Sequence, residues 1–225
     1  MNNKMDIQNI LLLITAGVNF ALALFVLLKN PKEKSNLVFI LLVIGLGLWS
    51  LGITMFRYES LTGFSMYWTR FHFIASTFIA FLFYYFTYFY PYQIFRERGV
   101  RTVIHFVLLL SVVMLTLQGS GYIESARSIR DVTLHQLKYL IFGLYFLYFS
   151  LSGFYLLIKK IKRASGSSRF QLRIVFAATL VAGTFGIFFN LFLPFFTYEF
   201  IYLGPYFTVV TAFIVFYFIF IKQPS

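Results

Sequence analysis

The hydrophobic positions of this chain fall into seven long, nearly unbroken runs, at about 8–28, 37–57, 66–90, 102–118, 135–158, 170–193 and 200–221. Each approaches the roughly 20 residues that an α-helix needs to cross the hydrocarbon core of a bilayer. The runs are apolar all round and lack the polar face that a surface helix of a soluble protein carries. Backbone groups in lipid must bond within their own segment unless the strands close a barrel. The ten-residue alternation of a barrel strand is absent. The pattern therefore predicts an all-α integral membrane protein, a seven-transmembrane-helix bundle that occupies 1–225 as a single domain. The connections are short, and only the stretch near 119–134 has room for small structure, expected as a surface helix from Ser120 to Asp131.

Composition agrees with lipid as the solvent. Charged residues make up 12% of the chain, about half the share usual for soluble domains. With no cysteine in the sequence, disulfides, thiolate chemistry and sulfur-ligated metals are excluded. The formal charge of +12 would suit nucleic acid, but the basic residues sit at the ends of the apolar runs, where topology and anionic headgroups account for them. Lipid, not nucleic acid, is the implied partner. No cleavable signal peptide is evident, because Lys29, Asn30 and Pro31 follow the first run without a small-residue cleavage site.

The same charges set a direction. Lys29, Lys32, Lys34, Arg96, Arg98, Arg101, Lys159, Lys160, Lys162, Arg163, Arg169, Arg173 and Lys222 fall on one side, with Glu33 and Glu97. Lys4, Arg57, Arg70, Arg127, Arg130 and Lys138 fall on the other, against five acidic residues. Thirteen basic residues against six predict an outer amino terminus and a cytoplasmic carboxyl terminus.

Polar residues within the runs are the candidates for function. In the third run Thr69, His72 and Ser76 share a helical face, with Arg70 and Thr77 on its flank and Trp68 close by. One reading is an outward-opening ligand pocket in which Arg70 pairs with an anionic group. The other has Arg70 snorkelling to the headgroups with Trp68 as its interfacial anchor. In the sixth run Thr179, Gly183, Gly186 and Asn190 form a stripe of small and polar residues, followed by Pro194. That stripe suits a close helix–helix seam, or a ligand-responsive hinge loosened by the proline. Gly45, Trp49 and Gly52 repeat the packing theme in the second run, and Asn19 reads as an interhelical hydrogen bond. Gly204-Pro205 marks a break near the start of the seventh helix, and Glu199 either lines the outer mouth or is solvated. The aromatic run from Phe81 to Tyr90 is belt and core chemistry, or the wall of a pocket for a hydrophobic ligand.

Enzymatic chemistry is missing from the sequence. His72, His105 and His135 are the three histidines, and His72 and His105 lie near opposite faces, so no metal site is expected. There is no carboxylate pair, nucleophile–base motif or phosphate loop, and no cofactor is implied. Lys222 lies beyond the seventh span, which disfavours a retinal Schiff base.

Several elements together carry a likeness. Asn36 opens the second span and Trp49 sits in its middle; Trp68-Thr69-Arg70 starts the third, which ends in aromatics and Pro91. Arg169, Gln171 and Arg173 open the sixth, followed by Gly183, Gly186 and Pro194, and Gly204 precedes a last aromatic helix ending at Lys222. This order resembles the amino-terminal seven-transmembrane region of certain bacterial and archaeal histidine kinases. The resemblance implies a sensory input module in a cell membrane that passes a conformational change through its seventh helix, and it implies dimerisation. The sequence ends at Gln223-Pro224-Ser225 without a phospho-accepting or nucleotide-binding domain. The expectation is a module that serves a separate cytoplasmic partner, or a piece of a protein with a fused kinase. The ligand is expected to be a small or hydrophobic molecule. A small transporter or channel, and a membrane scaffold that binds partner helices, are the competing readings. In the scaffold reading the basic loop from Lys159 to Arg169 would dock an acidic partner or anionic lipid.

Overall fold

The computed structural model describes residues 6–58, 65–94, 99–119, 121–128 and 131–218. Of the charged residues named above, Lys4, Arg96, Glu97, Arg98, Arg130 and Lys222 lie outside the described residues, as does Ser120. Seven helices follow in order: α1 Ile7–Lys29, α2 Lys34–Arg57, α3 Ser65–Phe89, α4 Gly99–Leu117, α5 Gln136–Arg163, α6 Gly166–Ile187 and α7 Leu203–Phe216. The first six are long and apolar enough to cross a bilayer, and α7 is a shorter apolar helix. The chain is a multi-pass, seven-helix membrane protein, and each apolar run of the sequence becomes one helix.

Helices run past the apolar stretches at their basic ends. α5 continues through Lys159, Lys160, Lys162 and Arg163, where cations complement the carboxyl end of the helix dipole. The loop expected from Lys159 to Arg169 is therefore mostly helix. Only Ala164 and Ser165 separate α5 from α6, and Gly166 takes the turn with a φ of +52°.

The surface helix expected from Ser120 to Asp131 is not formed. Strands β1 (Ile123–Ser128) and β2 (Asp131–Leu134) pair antiparallel instead, with Ile123 opposite Leu134. Gly119 and Gly121 enter this segment at φ +57° and +68°, values that end a right-handed helix. A side chain at Gly121 would also lie 2.7 Å from the Thr116 carbonyl. Tyr122 and Ile123, where the hairpin starts, are fully buried, and the Tyr122 hydroxyl bonds to Val112 O at 3.1 Å and to Thr116 at 3.0 Å.

The helices close a ring in the order α1, α2, α3, α5, α6, α7, with α7 returning against both α1 and α2. α4 packs outside it against α3 and α5. Its buried residues His105, Leu109, Val112 and Thr116 recur at the spacing of a single helical stripe, and most of its other face is apolar and exposed. Asn19 stays within its own helix, bonding Thr15 O at 3.0 Å, and does not cross to a neighbour through that amide nitrogen.

Among the described residues, each end of the bundle has a cation that joins several segments. At the hairpin end, Arg57 of α2 bonds Asn9 Oδ1 at 3.0 Å and the Glu199 carbonyl at 3.4 Å, pairs with Asp6 at 3.4 Å, and also bonds Gln8. At the opposite end Lys160 of α5 donates to the carbonyls of Thr87, Tyr88 and Tyr90 at 2.7, 2.9 and 2.6 Å. These are carbonyls that the end of α3 leaves without intrahelical partners. An ammonium has three donors, and all three are used. Lys160→Met is therefore expected to destabilise the folded bundle by about 2–4 kcal/mol through unsatisfied carbonyls. Lys160→Arg should fail to restore it, because a planar fork cannot aim at three acceptors clustered around one point. Unfolding in mixed micelles checks both variants.

Candidate functional site

A cavity of about 140 Å³ lies within the ring. α2, α3, α5, α6 and α7 all contribute to its wall, while α1 and α4 do not. On α3 the lining runs from His72 to Phe86, a rise of roughly 21 Å at helical pitch. The cavity is therefore long and narrow and runs with the helices. Phe39, Phe83 and Phe86 surround one end, and Phe73, Phe142 and Phe146 take part nearer the other. No Asp, Glu, Lys or Arg is among its lining residues.

Polar side chains line it along its length, and those at the hairpin end include a paired imidazole and phenol. His72 and Tyr198 both line it, with Nε2 and the phenol oxygen 3.0 Å apart. Burial pushes the Tyr198 phenol well above its usual range, so it is a neutral hydroxyl. Ser76, one turn along α3, also faces the cavity, but its hydroxyl donates to Phe73 O at 2.9 Å. Thr179, Thr208 and Thr211 likewise donate to helix carbonyls, which leaves only their lone pairs for a guest. Thr211 reaches across from α7 to the Ala178 carbonyl of α6 at 2.9 Å.

Asn190 occupies a distorted part of α6. Residues Phe188–Phe192 form a π-helical turn and Leu193–Phe195 a 3-10 turn. Pro194 has no N–H to offer the carbonyl four residues back, that of Asn190. The Tyr139 hydroxyl of α5 takes up that acceptor at 3.0 Å and the Leu191 carbonyl at 3.1 Å. The Asn190 amide nitrogen is a buried donor without a partner among the described residues, pressed against Gly204 at the start of α7. A side chain at Gly204 would overlap this amide and lie 3.1 Å from Trp49 of α2. Three helices thus converge on one residue that has no side chain.

The residues singled out in the sequence divide cleanly. His72, Ser76, Asn190, Trp49, Gly183 and Gly186 all line the cavity. Thr69 is buried away from it, and Trp68 packs edge-on against Phe71. Arg70 also stands off the cavity and bonds the Gly119 carbonyl at the hairpin approach. Gly52 lets α3 come close at His72, since a Cβ there would lie 2.9 Å from that of His72; at Gly45 it would meet Ile79 at 3.3 Å. Gly183 abuts Phe154, whereas Gly186 has open space before it. Pro194 is buried in the turn that bends α6.

Tyr198, Tyr139 and Arg57 carry much of this architecture, and sequence reasoning missed them as site residues. Tyr198 sits in a short aromatic connection where nothing distinguishes it from Phe195, Phe196 or Phe200. A second polar cluster, also unforeseen, joins His105 of α4 to Tyr85 at 3.3 Å and Tyr148 at 3.2 Å. Among the described residues no group of three histidines or carboxylates is placed to hold a metal.

The sequence model of a family described as the N-terminal 7TM region of histidine kinase matches residues 11–223. No curated protein and no solved structure matches the chain.

Proposed function

We propose that this chain, which belongs to the family of N-terminal seven-transmembrane regions of histidine kinases, is a sensory input module whose ligand site is the cavity inside the helix ring. A small or hydrophobic molecule enters the cavity, and α7 passes the resulting displacement to a downstream kinase domain or cytoplasmic partner. The observation that carries this reading is the make-up of the wall. α7 contributes Thr208, Thr211, Ala212 and Val215 to the cavity, and its first turn rests on Asn190 and Trp49 of the same wall. A guest that moves Asn190 must therefore act on the start of α7. A ligand shifts an equilibrium only through contacts that differ between two states, and this junction provides such contacts. With α7 running toward the cytoplasm, as the distribution of basic residues favours, the displacement leaves the membrane on the side of the kinase.

The test joins the chain through α7 to a histidine kinase region and measures autophosphorylation in vesicles. Gly186→Phe, which places a ring in the cavity, is expected to change the rate at least threefold. Phe213→Leu, on the exposed face of α7, should leave it unchanged. Equal rates for all three proteins would remove the cavity from signalling.

A further inference from the structure

We propose that the cavity takes an uncharged, elongated amphiphile with a single chain. Its hydrogen-bonding head lies among His72, Tyr198 and Asn190, and its tail extends toward Phe39 and Phe86. The proposal rests on the reading of the cavity as the sensory site and specifies the chemistry of its ligand.

Three observations carry it. The first is charge. No ionic side chain lines the cavity, and a carboxylate or ammonium buried there would lose its hydration without a counter-ion. Arg70, the cation nearest in sequence to His72, is held at the hairpin by Gly119 and does not reach the wall. The second is shape. The lining extends over about four turns of α3 around a cavity of only about 140 Å³, so an extended single chain matches its length where a two-chain lipid is too large. The third is polarity along the axis. Toward Phe39 and Phe86 the wall is chiefly aromatic and aliphatic, and of its polar residues Ser150, Thr179 and Thr211 the two threonines already donate to helix carbonyls. Toward the other end the Asn190 amide has an unsatisfied donor, and the same wall carries the imidazole and phenol of the His72–Tyr198 pair. A buried donor without an acceptor is costly, and an alcohol, amide or ester oxygen in the head would relieve it.

Tryptophan quenching tests this directly, because Trp49 lines the head end and Trp68 does not line the cavity. In the Trp68→Phe chain Trp49 is the one remaining tryptophan. In lipid nanodiscs, 2-bromododecan-1-ol is expected to quench Trp49 saturably, at least threefold more than 12-bromododecan-1-ol. Unlabelled 1-dodecanol should compete at least tenfold better than dodecanoate or dodecyltrimethylammonium. Gly186→Phe should abolish the effect, and Ser150→Leu serves as the second filling variant. Equal competition by a charged analogue would overturn the ligand class and leave the site standing. Stronger quenching by the terminal bromine would overturn the orientation. Quenching by brominated phospholipid tails that 1-dodecanol cannot relieve would assign the cavity to the bilayer's own lipid. Absence of saturable quenching by every probe, in a chain that remains folded, would overturn both the ligand class and the cavity as a sensory site.

Discussion

Gly204→Val is expected to be among the most damaging single substitutions in this protein, and to act on the ligand site and on α7 together. The new side chain would occupy the place of the Asn190 amide and crowd Trp49. Overpacking of this kind usually costs about 1–3 kcal/mol. Asn190 has little room to yield, because Tyr139 holds its backbone carbonyl. Relief would come from pushing the amide into the cavity or lifting α7 off the ring. Both outcomes lower stability, measured by unfolding in mixed micelles, and both should weaken saturable quenching of Trp49 by the brominated alcohol. Gly17→Ala is the matched control, since nothing lies within 4 Å of the added methyl. There the usual helical preference for alanine predicts a neutral or slightly stabilising change.

The second large effect is expected from Arg57→Ala. Its guanidinium joins the start of α1 through Asn9, Gln8 and Asp6 to the connection before α7 through the Glu199 carbonyl, and it lies 4.6 Å from the Tyr202 ring. Asp6 is 52% exposed, so that ion pair alone contributes less than about 1 kcal/mol. The greater loss comes from acceptors left without a donor and from the vacated stacking partner, together about 2–4 kcal/mol. The α1 and α7 contacts at this end should loosen first. Hydrogen exchange should accordingly rise in the first turns of both helices before it rises in α3. Uniform exchange across the bundle would mean that Arg57 is one contact among many and no tie.

The two ties and the cavity differ in how far the sequence reveals them. The seven helices were legible because lipid imposes length and uniform hydrophobicity, and the apolar runs report both. The hairpin was not. Ile123, Val132 and Leu134 are too few to establish a two-residue period, and the decisive feature is the positive φ at Gly119 and Gly121. His72, Ser76 and Asn190 could be identified as polar residues at depth, yet Arg70 on the same turn faces elsewhere. Sequence spacing fixes which residues share a face but not where a long, flexible cation sends its charge. The stripe of Thr179, Gly183, Gly186 and Asn190 suited a tight helix seam equally well. Whether small residues admit a neighbour or leave a void depends on the side chains opposite, and Phe154 fills the space only at Gly183. In the sequence Lys160 reads as a loop charge, since nothing local shows that the end of α3 comes within its reach.

The most direct test of the account is the position of α7 with the cavity empty and filled. The chain has no cysteine, so spin labels can be placed at will. Leu110 on α4, a helix that lines no part of the cavity, and Phe213 on α7 are both exposed. Pulsed electron–electron distance measurements on Leu110→Cys/Phe213→Cys in nanodiscs would compare the chain alone, with 1-dodecanol, and with Gly186→Phe. Occupancy of the cavity is expected to shift the distance by about 1–2 Å, the scale of helix displacements in signalling proteins, and in the same direction for ligand and ring. Superimposable distributions, in samples where Trp49 quenching shows the cavity to be filled, would contradict the coupling of the cavity to α7.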